Sequence, residues 1–146
     1  MNILILASAR SDSNTMRAVK QLSPVKEYVL IDLREKQIGH YDYNHDKNVG
    51  DDFLAIANEM SKSETIIFAT PIYWYAMSGL LKVFFDRLTE LLSTHKQIGK
   101  ALKGKKIYVI STGSDPCPPA GFDNPFKLTA EYFEMEFAES LYLQIK

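Results

Sequence analysis

Hydrophobic positions along the chain fall into two alternating patterns. Short, nearly unbroken apolar runs recur, beginning with "NILILA" at residues 2–7. An unbroken run of that length is the mark of a strand buried on both faces. "EYVLIDL" (27–33), "TIIFAT" (65–70), "KKIYVIST" (105–112) and "ESLYLQI" (139–145) read as further strands. Between them lie stretches of helical spacing. A weak helix is expected over 14–22, stopping before Pro24. Another is expected over 51–62, with Phe53, Leu54, Ala57 and Met60 on one face. A wide stripe of Leu80, Leu81, Phe84, Phe85, Leu88, Leu91 and Leu92 predicts a third, and residues 126–137 a fourth.

Strict alternation of strand and helix implies a parallel sheet with helices on both faces. Five strands suit a single α/β domain over residues 1–146, a flavodoxin-like three-layer sandwich of strand order 2-1-3-4-5. Ligands of such sheets bind at the carboxyl ends of the strands, where the strand order reverses. That point lies between the first and third strands, whose exit loops are "SARSDSNT" (8–15) and "PIYWYAMSG" (71–79).

The second of these loops is unusual. Turns ordinarily carry Gly, Asn, Asp or Ser, yet this one carries Pro71, Ile72, Tyr73, Trp74, Tyr75, Ala76 and Met77. A flat, polarizable ring would cover Tyr73, Trp74, Tyr75 and Met77. Trp74 and Tyr75 suit a core gap or a subunit interface equally well. The first loop offers Ser8, Arg10, Ser11, Ser13, Asn14 and Thr15 ahead of a helix start, where backbone N–H groups and the helix dipole favour an anion. The plainer reading makes Ser13 or Asn14 a helix cap and Arg10 a surface charge. A third loop, "STGSDPCPPAGFDNP" (111–125), adds Thr112, Gly113 and Ser114, with Gly113 permitting close approach of backbone to a ligand. Phosphate, flat ring and polar ring edge together suit flavin mononucleotide better than an adenine nucleotide. No G-x-x-x-x-G-K-[ST] or G-x-G-x-x-G motif is present.

Composition narrows the partners. A formal net charge of −1 gives no electrostatic reason to expect nucleic acid or a membrane surface. The densest basic cluster, Lys103, Lys105 and Lys106, leads into a strand and reads as its solvated entrance. The chain enters its first strand at once, so a cytoplasmic protein is expected. One cysteine rules out an intramolecular disulfide and an iron–sulfur cluster, and Cys117 reads as an incidental thiol. His40, Asp42, His45 and Asp46 read as a solvated loop, so no metal site is expected.

On "SARSDSNT" and "PIYWYAMSGLLKVFFDR" the sequence resembles the flavodoxin-like NAD(P)H-dependent FMN reductase and quinone reductase family. The first matches the pattern S-x-R-x-x-S-N-T and the second P-[IV]-Y-W-x-x-M-S-G-x-L-K-x-[FL]-x-D-R. The resemblance implies an FMN-binding homodimer that takes hydride from NADPH or NADH and passes electrons to a small-molecule acceptor such as a quinone or flavin. It places Ser8, Arg10, Ser13, Asn14 and Thr15 at the phosphate. Pro71, Tyr73, Trp74 and Met77 would lie along the isoalloxazine, with Ile72 and Tyr75 in the same turn, and Thr112, Gly113 and Ser114 at its pyrimidine edge. The flavin would carry the chemistry, so no catalytic side chain is expected, and the two substrates would react in ping-pong order. Lys82, Asp86 and Arg87 match the motif and read as a surface ion cluster or a dimer contact. The rivals are a flavodoxin-like electron carrier acting with a protein partner, and a flavin-binding module without turnover.

Overall fold

The computed structural model describes residues 1–10 and 13–145, so Ser11 and Asp12 of the first loop lie outside the described residues. Five parallel strands form the sheet: β1 (Asn2–Leu6), β2 (Val29–Asp32), β3 (Thr65–Tyr73), β5 (Lys106–Gly113) and β6 (Glu136–Gln144). Their spatial order is β2-β1-β3-β5-β6, the 2-1-3-4-5 order expected. A sixth strand, β4 (Ala76–Met77), pairs antiparallel with the end of β3 and belongs to a hairpin. The apolar run in β1 has a simple cause. Ile3 and Ile5 point into one core cluster and Leu4 and Leu6 into the other, and all four are buried.

The larger cluster lies under helices α2 (Phe53–Ser61), α3 (Gly79–Arg87) and α5 (Asn124–Tyr132). Helix α1 (Asn14–Leu22) covers the other face through Ala18 and Val19, lying against β3, β5 and β6. The α1 and α2 expectations hold to within two residues. The two others need correction, and one helix is added. The leucine stripe is not one helix: α3 ends at Arg87 and a 3-10 turn over Leu88–Leu92 continues it. A short helix, α4 (Lys96–Ala101), follows without having been expected. The fourth helix stops at Tyr132 rather than 137, because Glu134 turns through the left-handed region (φ 60°) and β6 begins at Glu136. Phe133 and Phe137 both pack on the larger cluster, so the apolar spacing runs across the break and hides it.

The long connection from β2 to α2 is fastened by one side chain. Arg87 is only 2% exposed. Its guanidinium donates to Asp51 Oδ2 at 2.6 Å, to Asp51 Oδ1 at 3.2 Å, to the Gly39 carbonyl at 3.0 Å, and also to Glu90. It also lies 4.8 Å from the centre of the Phe53 ring. Of the three charged residues in the family motif, then, Arg87 is internal, whereas Lys82 and Asp86 form an exposed pair. Burial works against the charge of Arg87, but its bonds to Asp51 and Glu90 prevail and raise its pKa. Burial likewise opposes the charge of Asp51, yet Arg87 and the Gly39 and Phe53 N–H groups together hold its pKa below the ordinary carboxylate value.

Arg87→Leu should therefore destabilise the fold by about 3–5 kcal/mol, since it leaves two carboxylates and a carbonyl without their cation. Urea unfolding measures this. Asp51 has a lowered folded pKa, so its contribution is complete above its unfolded pKa of ~3.9 and is lost as pH falls through the folded value. Acid unfolding of the wild type should show that loss below about pH 4, and Asp51→Asn should remove that part of the pH dependence.

Candidate functional site

The first, second and third loops meet at the carboxyl ends of β1, β3 and β5, and buried hydroxyls tie them together. Ser78 caps α3 by accepting from the Leu81 N–H at 3.3 Å, and it donates to the carbonyl of Ala7 at 2.8 Å. Its own N–H donates to Thr70 Oγ1 at 3.0 Å, and Thr70 in turn donates to the Pro71 carbonyl at 2.7 Å. The first loop is thereby fixed to the second. Across the sheet, the hydroxyls of Thr15 and Thr112 lie 3.3 Å apart and are both buried, fixing the first loop to the third.

Within the first loop, Ser13 is the N-cap of α1 and accepts from the Met16 N–H at 3.1 Å. The capping role is thus real, and it aims the open helix start, with Asn14 and Thr15, at the loop. Ser8 is buried and accepts from the Arg10 N–H at 3.3 Å, while Arg10 is exposed.

The second loop differs from the expected turn. Strand β3 runs on through Pro71 to Tyr73, reverses at Trp74 and Tyr75, and returns as β4 with Ile72 opposite Met77. Trp74 (φ 50°) and Tyr75 (φ 72°) both sit in the left-handed region. That geometry matches the two-residue hairpin turn for which Asn-Gly is favoured. A large side chain there is strained, and these two are 91% and 70% exposed. Met77 packs downward into the larger core cluster.

A cavity of about 250 Å³ opens between the hairpin and the third loop. Of the residues singled out by sequence, it brings together Ile72, Trp74, Tyr75, Gly113 and Ser114. Pro71, Tyr73, Met77 and Thr112 are not among its walls, and neither are Ser8, Arg10, Ser13, Asn14 and Thr15 of the first loop. Asp115, Cys117, Pro119 and Tyr142 complete it. Cys117, read from the sequence as an incidental thiol, is exposed along this cavity. Tyr142 comes from β6, far along the chain, and carried no local signal. The close neighbour of Gly113 is Tyr142, whose hydroxyl would lie 2.8 Å from an added Cβ, so a side chain there would push Tyr142 aside.

A second cavity of about 310 Å³ lies over the Arg87 cluster, walled by Asp42, His45, Asp51, Glu90 and His95 among others. Its polar groups serve the loop itself. Asp42 accepts from the N–H groups of Asn44, Asp46 and Lys47, and the Lys47 bond leads in bringing its pKa down to about 2.

Residues 1–120 match the family described as NADPH-dependent FMN reductase. A Bacillus subtilis protein named "Putative NAD(P)H-dependent FMN-containing oxidoreductase YwqN" is 37% identical over 86 residues, which cover 58% of this chain and 44% of that one. The chain matches less than half the length of its curated relatives. Among solved structures, the Trp repressor binding protein of Bacillus subtilis superposes with a TM-score of 0.80 at 23% identity, over 100% of this chain and 85% of that one. General stress protein 14 of Treponema denticola, solved in complex with FMN, gives 0.69 at 23% identity, over 98% and 85%. At such identities these structures show the fold.

Replacing the strained pair, Trp74→Asn with Tyr75→Gly, should stabilise the protein by about 1–2 kcal/mol, because both residues then suit the turn they occupy. Thermal unfolding measures it. A lower melting temperature would mean that the exposed rings contribute packing that outweighs their strain.

Proposed function

The chain belongs to the NADPH-dependent FMN reductase family, and on that footing we propose that it binds one FMN and acts as an NAD(P)H oxidoreductase delivering electrons to a small acceptor, a quinone or flavin. The observation that carries this reading is a cleft walled by the aromatic rings of the hairpin and by the third loop, with the first loop joined to both through Ser78–Ala7 and Thr15–Thr112. The donor set fits the cofactor. Ser8, Ser13, Asn14 and Thr15 supply hydroxyls, an amide and a helix start for a phosphate, and Arg10 adds a positive charge. Ile72, Trp74 and Tyr75 offer flat apolar surface for a ring, opposite the polar backbone of Gly113 and Ser114. Met77 anchors the hairpin in the larger core cluster, Tyr73 pairs with Ala76 in its ladder, and Thr112 joins the third loop to Thr15. When bound, the flavin supplies the hydride and electron chemistry that amino-acid side chains lack.

The same proposal includes a homodimer, supported by the exposed Trp74 and Tyr75. The leucine stripe of α3 supports it less, since Leu81 and Phe84 are spent on the chain's own core. A cytoplasmic address completes the proposal. No helix among the described residues is long and apolar enough to cross a membrane.

Two measurements test this reading. Arg10→Ala should weaken FMN binding by about 1–3 kcal/mol while leaving the fold intact, the scale of one charge-assisted hydrogen bond. Titration followed by flavin fluorescence reads it, and an unchanged dissociation constant would return Arg10 to the surface. Turnover by the FMN-loaded protein should give parallel double-reciprocal lines when NAD(P)H and a quinone are varied together, because one cleft must serve both substrates in turn. Intersecting lines would require a second site. Failure to oxidise NAD(P)H at all would favour an electron carrier.

A further inference from the structure

We propose that Tyr142 and Gln144, at the end of β6, are positioning residues that set the third loop for the ring of the bound cofactor. This rests on the flavin reading above. Three successive carbonyls of the loop accept hydrogen bonds from the end of β6. The Gly113 carbonyl accepts from the Ile145 N–H at 2.8 Å, that of Ser114 from Gln144 Nε2 at 3.0 Å, and that of Asp115 from Tyr142 Oη at 2.6 Å. Every described peptide bond is trans. A trans peptide points its N–H opposite to its carbonyl. Pinning the Gly113 and Ser114 carbonyls to β6 therefore turns the N–H groups of Ser114 and Asp115 away from it, toward the hairpin side of the loop. No acceptor takes either N–H among the described residues. Pro116 follows and has no N–H, so the pair ends there.

Both residues line the cavity. Two parallel N–H groups at one wall suit the acceptor-rich edge of a flat heterocycle, and they hold negative charge there without rearrangement. Tyr142 is built into this arrangement, since its hydroxyl passes so near Gly113 that a Cβ would meet it at 2.8 Å. Tyr142 and Gln144 lie beyond residues 1–120, the segment that matches the family.

Tyr142→Phe removes only the hydroxyl, and Gln144→Ala only an exposed amide. In the FMN-loaded protein each should weaken FMN binding about five- to tenfold, the scale of one hydrogen bond. The melting temperature of the unloaded protein should stay unchanged. The visible spectrum of the bound flavin should shift and its reduction potential move negative, as the two N–H groups lose their alignment. A purely structural role would lower the melting temperature without moving the potential. Cys117, in the same loop, gives a readout without cofactor: iodoacetamide should label it faster in both variants than in the wild type. Should Tyr142→Phe fail to fold, Gln144→Ala carries the test alone. Wild-type affinity, potential and labelling in the variants would overturn the brace while leaving the flavin reading intact. A wild-type protein that does not bind FMN would overturn that reading, and the brace with it.

Discussion

The buried hydroxyl of Ser78 holds the site in register. It must cap α3, receive the chain as it leaves the hairpin, and donate to Ala7 at the end of β1, all from a position that is 3% exposed. Losing it would leave a buried carbonyl and a helix N–H unpaired, each worth about 1–3 kcal/mol. The hairpin follows from this constraint. Strand β3 continues past the sheet's edge to Tyr73, and the chain must return within four residues to bring Ser78 back beside Thr70. A two-residue reversal meets that demand, and it is the reason Trp74 and Tyr75 occupy left-handed backbone.

Legibility in the sequence followed the physics of each element. Strands β1 and β3 were plain because both of their faces are buried, which removes polar residues from the pattern. The parallel arrangement followed from alternation, and the strand order from the flavodoxin-like reading of five strands in one small domain. The boundary between α5 and β6 was hidden because Phe133 and Phe137 serve one core cluster from two different elements, and neither Gly nor Pro marks the break. Helix α4 was missed because it is short and depends on tertiary contact. Its Gly99 lies where a Cβ would stand 2.4 Å from the Leu91 carbonyl, a requirement invisible without the fold.

The candidate site was legible to a different degree. Its location was readable, since the topology puts loops at the carboxyl ends of β1, β3 and β5. The cap at Ser13 was readable from its place before a helix, whereas the bond of Ser78 to Ala7, 71 residues away, was not. The hairpin was not, because the turn carries neither Asn nor Gly, the usual signal. Arg87 was misjudged as superficial because its partners, Asp51 and Gly39, are distant in sequence. Tyr142 and Gln144 escaped for the same reason, and so did the bond between Thr15 and Thr112, residues 97 apart.

These bonds also leave the bases of the loops firm and the hairpin tip softer. The first loop is fixed to the second through Ser78 and to the third through Thr15, and both bonds are buried. Buried hydrogen bonds of this kind open only with the structure around them. The hairpin tip has no such fastening. Its ladder consists of two residue pairs, Ile72 with Met77 and Tyr73 with Ala76, and beyond it stand two exposed aromatic rings. A region with little buried contact opens at the low end of the stability range. The hairpin tip can therefore adjust while the loop bases keep their geometry. Strain at Trp74 and Tyr75 fits that division, since a turn that is not at its local minimum gives up less when a ligand moves it.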